Sequence, residues 1–319
     1  MSQLCPKICY QEKEGGLILT ACYGVDGQIY LPDEIHGKPI ISIAPYAFSD
    51  REPSAEDLCW ISEEAENFLD LHRLKKEEVT EIRLPKGVRE IGRYAFYRCR
   101  NLRKLILSDS LREIGGGALT GCHIREVELW FLKGEQSALP SILDEMRYLI
   151  LARLYYREDQ MAQVLFPEHY EEAVENTPAR ILYTSHHGAG GYYRQCFYDR
   201  ALDYRKYDAL LPRAVAEEAE ETVIHLVLGR LKHPYQLSEQ AAESYGDYLT
   251  EHLEAAARIL VAEEDMEGLR FLSEKDLWTR QSLSAALEQA ADLKKTEITA
   301  FLTEEKASKF RAVKKSFEL

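Results

Sequence analysis

Among its 319 residues the chain has no apolar run approaching the ~18 residues that a membrane-crossing helix needs. Its opening stretch, MSQLCPKICYQEKEGG, contains none long enough for a secretory leader. The expected compartment is therefore the cytoplasm, with no membrane partner. Cysteine is sparse: the seven residues Cys5, Cys9, Cys22, Cys59, Cys99, Cys122 and Cys196 are odd in number and scattered. That usage fits reduced thiols better than a disulfide framework. Cys5 and Cys9 have no second pair at zinc-site spacing, so no metal is expected. The chain also lacks GxxxxGK[ST], GxGxxG and HExxH, which removes the usual warrants for a nucleotide site, a metalloprotease and a bound cofactor. Positive charge is in deficit, with 40 basic against 54 acidic residues and a net charge of −14, a balance that repels nucleic acid. A basic tail, Lys306, Lys309, Arg311, Lys314 and Lys315, is the local exception and reads as a solvated helix end.

What the chain does have is internal repetition. Ile82, Leu84, Val88, Ile91, Gly92, Ala95 and Cys99 recur 23 positions later as Leu105, Leu107, Leu111, Ile114, Gly115, Ala118 and Cys122. A third copy starts one residue early, with Leu102, Leu105 and Leu107 answered by Ile124, Val127 and Leu129. A fixed period of this size is the mark of a solenoid. Within a coil, Ile82 and Leu84 alternate with Glu81 and Arg83 as on a half-buried strand. Pro85 stops the strand, Gly92 supplies a permissive corner, and Ala95, Phe96 and Cys99 share one side of a helical turn. No coil buries its own apolar edge, so stability must come from stacking.

The stretch VTEIRLPKGVREIGRYAFYRCRNLRKLILSDSLREIGGGALTGC resembles the BspA-type leucine-rich repeats of bacterial proteins. The resemblance implies a recognition scaffold whose repeats carry no catalytic residue, with Cys99 and Cys122 as buried small hydrophobes.

Residues 8–23 alternate around Gly15-Gly16 and predict a hairpin that caps the solenoid. An earlier repeat is visible in IYLPDEIHGKPIISIAPYAF, where Ile43, Tyr46, Ala47 and Phe48 precede Ile91, Tyr94, Ala95 and Phe96 by 48 residues. The acidic stretch from Pro53 to Glu78 is expected to fill one coil with a helix. Beyond Trp130-Phe131-Leu132 the spacing of Leu139, Leu143, Met146, Ile150 and Leu154 predicts a helix lying over the last coil. Thr177-Pro178 predicts a helix start. Past Pro212 the pattern is helical throughout. Val215, Ala219, Val223, Leu226 and Leu231 form one stripe, and Ser238 caps the next helix. Leu253, Ala257 and Ile259 are echoed 34 residues on by Leu287, Ala291 and Leu293, a spacing like that of ankyrin helix pairs but without their TPLH-type turn.

The expected fold class is α+β: a short leucine-rich-repeat solenoid with its hairpin cap over residues 1–133, then an α-helical domain with helical-hairpin, ankyrin-like repeats over 134–319. The expected function is non-enzymatic, a monomeric protein-interaction or scaffolding module with a protein partner. The alternative is a small anionic ligand binder or enzyme with its site at 186–200. There His186 and His187 precede a Gly188-Ala189-Gly190-Gly191 loop and a segment dense in arginine and tyrosine. The candidate binding residues are His186, His187, Gly190, Arg194, Tyr198 and Arg200. An Arg194 fork with loop amides suits an anion; in a structural role Arg194 and Arg200 would instead pair with nearby acids such as Asp199, Asp203 or Glu175. His169 and Cys196 are the other groups that invite a nucleophile or metal reading, without a supporting spacing.

Overall fold

The sequence period becomes a spatial repeat in the computed structural model, which describes residues 4–52, 54–63, 70–157, 159–176 and 181–310, backbone only for 171–176 and 181–187. Strands β1 (Lys7–Lys13) and β2 (Gly16–Gly24) form the expected antiparallel hairpin. The first coil follows with β3 (Gln28–Tyr30), β4 (Glu34–Ile35) and β5 (Lys38–Ile43). Because β5 runs parallel to β2, the hairpin covers the first coil's edge.

The next segment departs from expectation. Among the described residues no α-helix fills a coil there: β6 (Leu58–Ile61) pairs antiparallel with β1, β7 (His72–Arg73) pairs with β2, and Lys76–Glu78 form a single 3-10 turn. Residues 64–69 of that stretch lie outside the described residues. Cys9 and Cys59 face each other across β1 and β6 and form a disulfide. This corrects the reading of all seven cysteines as unpaired, which rested on linear spacing; the partners stand 50 residues apart. Closing a loop of that length removes roughly 4 kcal/mol of chain entropy from the unfolded state in the loop-closure picture.

The insertion leaves the ladder unbroken, since β3 pairs directly with β8 (Glu81–Arg83). β9 (Glu90–Ile91), β10 (Lys104–Ser108), β11 (Glu113–Ile114) and β12 (Glu126–Trp130) complete two parallel ladders. In one, Ile29, Ile82, Leu105 and Val127 stand in register and are buried. In the other, Ile43, Ile91 and Ile114 do the same, with Ile114 half-buried at the end of its row. Each fully buried aliphatic side chain contributes about 1.5–3 kcal/mol.

The corners carry the tightest constraints. Tyr46 (φ 60°) and Tyr94 (φ 56°) occupy left-handed backbone, and Gly117 (φ 70°) takes that place one period after Tyr94. A Cβ on Gly117 would lie 2.4 Å from the Tyr94 ring. The role of Gly92 differs from the expected permissive turn, since a Cβ there would sit 2.5 Å from the Pro45 nitrogen of the preceding coil. Gly115 repeats this against the Arg93 nitrogen at 2.5 Å. These glycines allow backbones to approach. Phe48 stacks on Phe96 at 4.8 Å, and the buried Cys99 and Cys122 thiols donate to the Phe48 and Phe96 carbonyls of the coil before.

Beyond the repeats, helix α1 (Leu139–Glu145) is only two turns long. The expected continuation to Leu154 is instead β13 (Ile150–Tyr155), parallel to β12. Ile150, Ala152 and Leu154 alternate inward from Leu151, Arg153 and Tyr155, so period two wins over a spacing that also suited a helix. β14 (Met161–Phe166) folds back antiparallel and ends the six-stranded sheet β14-β13-β12-β10-β8-β3. β15 (Tyr170–Asn176) and β16 (Ile181–His187) form a hairpin where a helix start was expected; Thr177 and Pro178 lie outside the described residues. After α2 (Gly190–Arg194) come the short strands β17 (Phe197–Tyr198) and β18 (Ala201–Leu202), then α3 (Tyr204–Asp208) and α4 (Leu211–Glu217). The first compact unit runs Met1–Glu217, so the boundary expected at 133/134 falls inside it.

The second unit, Glu218–Leu319, is helical over its described residues. Its helices are α5 (Glu220–Lys232), α6 (Glu239–Glu251), α7 (Leu253–Ala262), α8 (Met266–Glu274), α9 (Arg280–Asp292) and α10 (Thr296–Lys309). Ser238 caps α6, accepting from the Ala241 N–H. The core repeats every 30 residues: buried Leu253, Ala256, Leu260 and Leu272 are matched by Leu283, Ala286, Ala290 and Leu302. Leu293, part of the 34-residue echo, is 41% exposed, so that register followed surface positions. The expected stripe from Val215 to Leu231 breaks between α4 and α5, leaving Val215 exposed. Of the basic tail, Arg311, Lys314 and Lys315 lie outside the described residues.

Ile91 is fully buried and Ile114 half-buried, so Ile91→Asp is expected to cost about 3–5 kcal/mol and Ile114→Asp clearly less. Paired thermal melts of the two variants check the order. Alkylation of the denatured, unreduced chain is expected to modify five cysteines, with Cys9 and Cys59 labelled only after reductant. Seven labelled thiols by intact mass would count against the cross-strand bond.

Candidate functional site

Of the six residues singled out in the sequence, Gly190, Arg194, Tyr198 and Arg200 have described surroundings. His186 and His187 end β16, in backbone register with Glu171 and Tyr170; their side chains lie outside the described residues. Gly190 opens α2, where a Cβ would meet the Glu168 carbonyl oxygen at 2.1 Å. Arg194 is 8% exposed. Its guanidinium donates to the carbonyls of Pro167, Gly190 (3.2 Å), Met146 (3.3 Å) and Tyr148 (2.8 Å). The fork expected to meet a ligand is turned inward, joining α2 to the turn before β13. Arg200 donates to the Ser137 and Arg112 carbonyls, each at 2.9 Å, and so ties the β17–β18 turn to the repeats. Tyr198 is 82% exposed beside Asp199 and Arg200, both left-handed. Burial pushes the Cys196 thiol up to about 12, so it is no thiolate nucleophile at neutral pH.

The outward face of the six-stranded sheet is organised differently. Period two brings Glu81 and Arg83, Lys104 and Ile106, Glu126 and Glu128, and Arg153 and Tyr155 to one side. At one end the charges satisfy each other. Lys104 lies 2.7 Å from Glu128 and 3.7 Å from Glu81, Arg153 lies 2.8 Å from Glu126, and the Tyr30 hydroxyl donates to Glu81 at 2.7 Å. Burial works against the Lys104 charge, but its Glu128 bond and the surrounding carboxylates hold its pKa above the usual lysine value.

Toward the C-terminal ends of the strands the face turns apolar. Leu84, Ile106, Leu107, Trp130 and Leu132 wall a pocket of about 380 Å³. Trp130 is 45% exposed and stacks on Tyr155 at 4.3 Å, and Leu132 is 38% exposed. Arg83 and Lys86 bring two cations to the lining. Lys86 has Asp33 at 3.7 Å, whereas the exposed Arg83 guanidinium has no hydrogen bond or ion pair among the described residues. Ser108, also in the lining, donates its hydroxyl to the Lys86 carbonyl.

The profile of the BspA type leucine rich repeat region matches residues 72–137 in six copies, the stretch that holds all of this lining. Residues 72–137 are BspA-type leucine-rich repeats. The crystal structure of the T. pallidum leucine-rich repeat protein, TpLRR, is 21% identical and covers 41% of this chain and 72% of its own, with a TM-score of 0.21. Among curated proteins there is no match.

The repeat strands thus place Arg83 beside Ile106, with Trp130 opposite Ser108 in the next outward row. The repeat period alone does not reveal this site, because it ends at Trp130 and the helical spacing of Leu139 to Leu154 hides β13, the strand that brings Tyr155 under the Trp130 ring. In the second unit, donor atoms of Glu221, His225 and Glu263 lie within 4.8 Å of one another, although Glu263 is distant in sequence; His225 and Glu263 pair at 3.0 Å.

Arg194→Ala would leave several buried carbonyls without their donor, and a loss of about 2–4 kcal/mol is expected. Thermal melting checks this, and Arg194→Lys is expected to recover only part, because an ammonium lacks the planar fork.

Proposed function

We propose that the chain is a non-enzymatic protein-interaction module whose contact surface is the outward face of the repeat sheet around Trp130. The observation that carries the reading is an exposed tryptophan, stacked on a tyrosine, above an apolar pocket in an otherwise charged sheet. Aromatic anchors beside arginine are the composition of interaction hot spots. Among the described residues no helix is long and apolar enough to cross a membrane. The alternative of an anion or substrate site at 186–200 has less to support it, since Arg194 and Arg200 are engaged with backbone carbonyls. The cytoplasmic expectation is also weakened, because a Cys9–Cys59 bond suits an oxidising environment.

The test is site-specific photo-crosslinking in the native cell with full-length protein carrying the photoreactive residue at 132 or, as a control, at 198. Both positions are exposed, at 38% and 82%. The reading expects a discrete protein adduct from 132 only. Adducts from 198 alone, or from neither, would remove the repeat face as the contact surface.

A further inference from the structure

The chemistry of the partner segment can be read from what the sheet face leaves unmet. Glu81, Glu126 and Glu128 are already matched by Lys104, Arg153 and the Tyr30 hydroxyl, and Lys86 by Asp33. Arg83 alone among the cations of this lining has no counter-charge among the described residues, and it stands on β8 in register with Ile106 of the pocket wall. The Trp130 indole N–H likewise has no acceptor among the described residues. A volume of about 380 Å³ suits one or two bulky side chains. An unpaired guanidinium next to an apolar pocket gains most from a carboxylate, which it can hold through two parallel hydrogen bonds. A cationic group would meet repulsion there, and a wholly apolar one would leave the guanidinium facing it without a partner.

We infer that the pocket takes a short segment of a partner protein in which a bulky apolar side chain stands next to a carboxylate. The apolar group enters beside Trp130 and Leu132, and the carboxylate meets Arg83. An acidic side chain and a free C-terminus offer the same chemistry. This deepens the interaction-module reading and rests on it.

The experiment is selection of a random peptide library, displayed on phage, against the immobilised full-length chain, with counter-selection on a Trp130→Ala variant. Binders are then synthesised with free or amidated C-termini and titrated by fluorescence anisotropy against wild type, Arg83→Gln and Arg83→Glu. Unchanged melting of each variant shows that it is folded, as expected for exposed side chains. The expected result is a consensus of a bulky apolar residue beside Asp, Glu or the free terminus. Affinity should fall at least tenfold in Arg83→Gln, and Arg83→Glu should prefer Lys- or Arg-bearing peptides. Loss of binding on amidation assigns the carboxylate to the terminus; retention assigns it to a side chain. Binders that depend on Trp130 but ignore Arg83 would overturn the carboxylate inference and leave the interaction face standing. A selection that yields no Trp130-dependent binder would overturn both.

Discussion

The close stacking of coils on one another governs everything else in the first unit. A single coil presents an apolar edge on both sides, and only a neighbour at strand-pairing distance removes it from water. That distance is enforced at the corners, where Gly92 and Gly115 let each backbone touch the coil before it within 2.5 Å of a would-be Cβ. The same contact aligns Phe48 with Phe96 and delivers the Cys99 and Cys122 thiols to carbonyls one coil away. Burial pushes the Cys122 thiol up to about 12, which keeps it a proton donor at any physiological pH. Side-chain identity at these corners is therefore set by the neighbouring coil more than by local turn conformation.

Stacking also creates the two ends as problems. At the first coil the solution is the β1–β2 hairpin, with β6 added along β1 and held by the Cys9–Cys59 bond. At the other end β13 continues the ladder one strand beyond the visible repeat, and β14 reverses direction against it. Arg194 and Arg200 belong to this closure. Each directs a guanidinium at backbone carbonyls that irregular segments leave without a ladder partner.

The repeat ladder was legible because its signal is redundant: Ile82, Leu105 and Val127 announce the same row three times. The hairpin around Gly15-Gly16 and the Ser238 cap were legible for local reasons of turn and cap chemistry. Failures gathered where one segment satisfied two periods. Leu139 to Leu154 fits helical spacing, yet Ile150-Leu151-Ala152-Arg153-Leu154 also alternates, and the waiting edge of β12 decided for the strand. The 34-residue helical echo failed differently. It matched similar residues without asking which were buried, and the core runs at 30. Pairing of Cys9 with Cys59 depended on an antiparallel register between segments 50 residues apart, which no local pattern encodes.

The candidate site follows from the same logic. On a ladder whose coils share one register, outward positions are free of the packing constraint that fixes the inward ones, so their chemistry can vary from coil to coil. Here the variation is ordered: the matched charges of Glu81, Lys104, Glu126, Glu128 and Arg153 cover one part of the face, and the apolar pocket lined by Ile106, Trp130 and Leu132 adjoins them, with Arg83 at its wall. Leaving Trp130 45% exposed forgoes hydrophobic stabilisation that a smaller or polar residue would not have put at stake. Its ring stacks on Tyr155 with centroids 4.3 Å apart, a contact that restricts its rotamers and so lowers the entropy lost when another surface covers it. Those two features together, an apolar ring left uncovered and stacked on a neighbour, set this face apart from the internally neutralised charge network beside it.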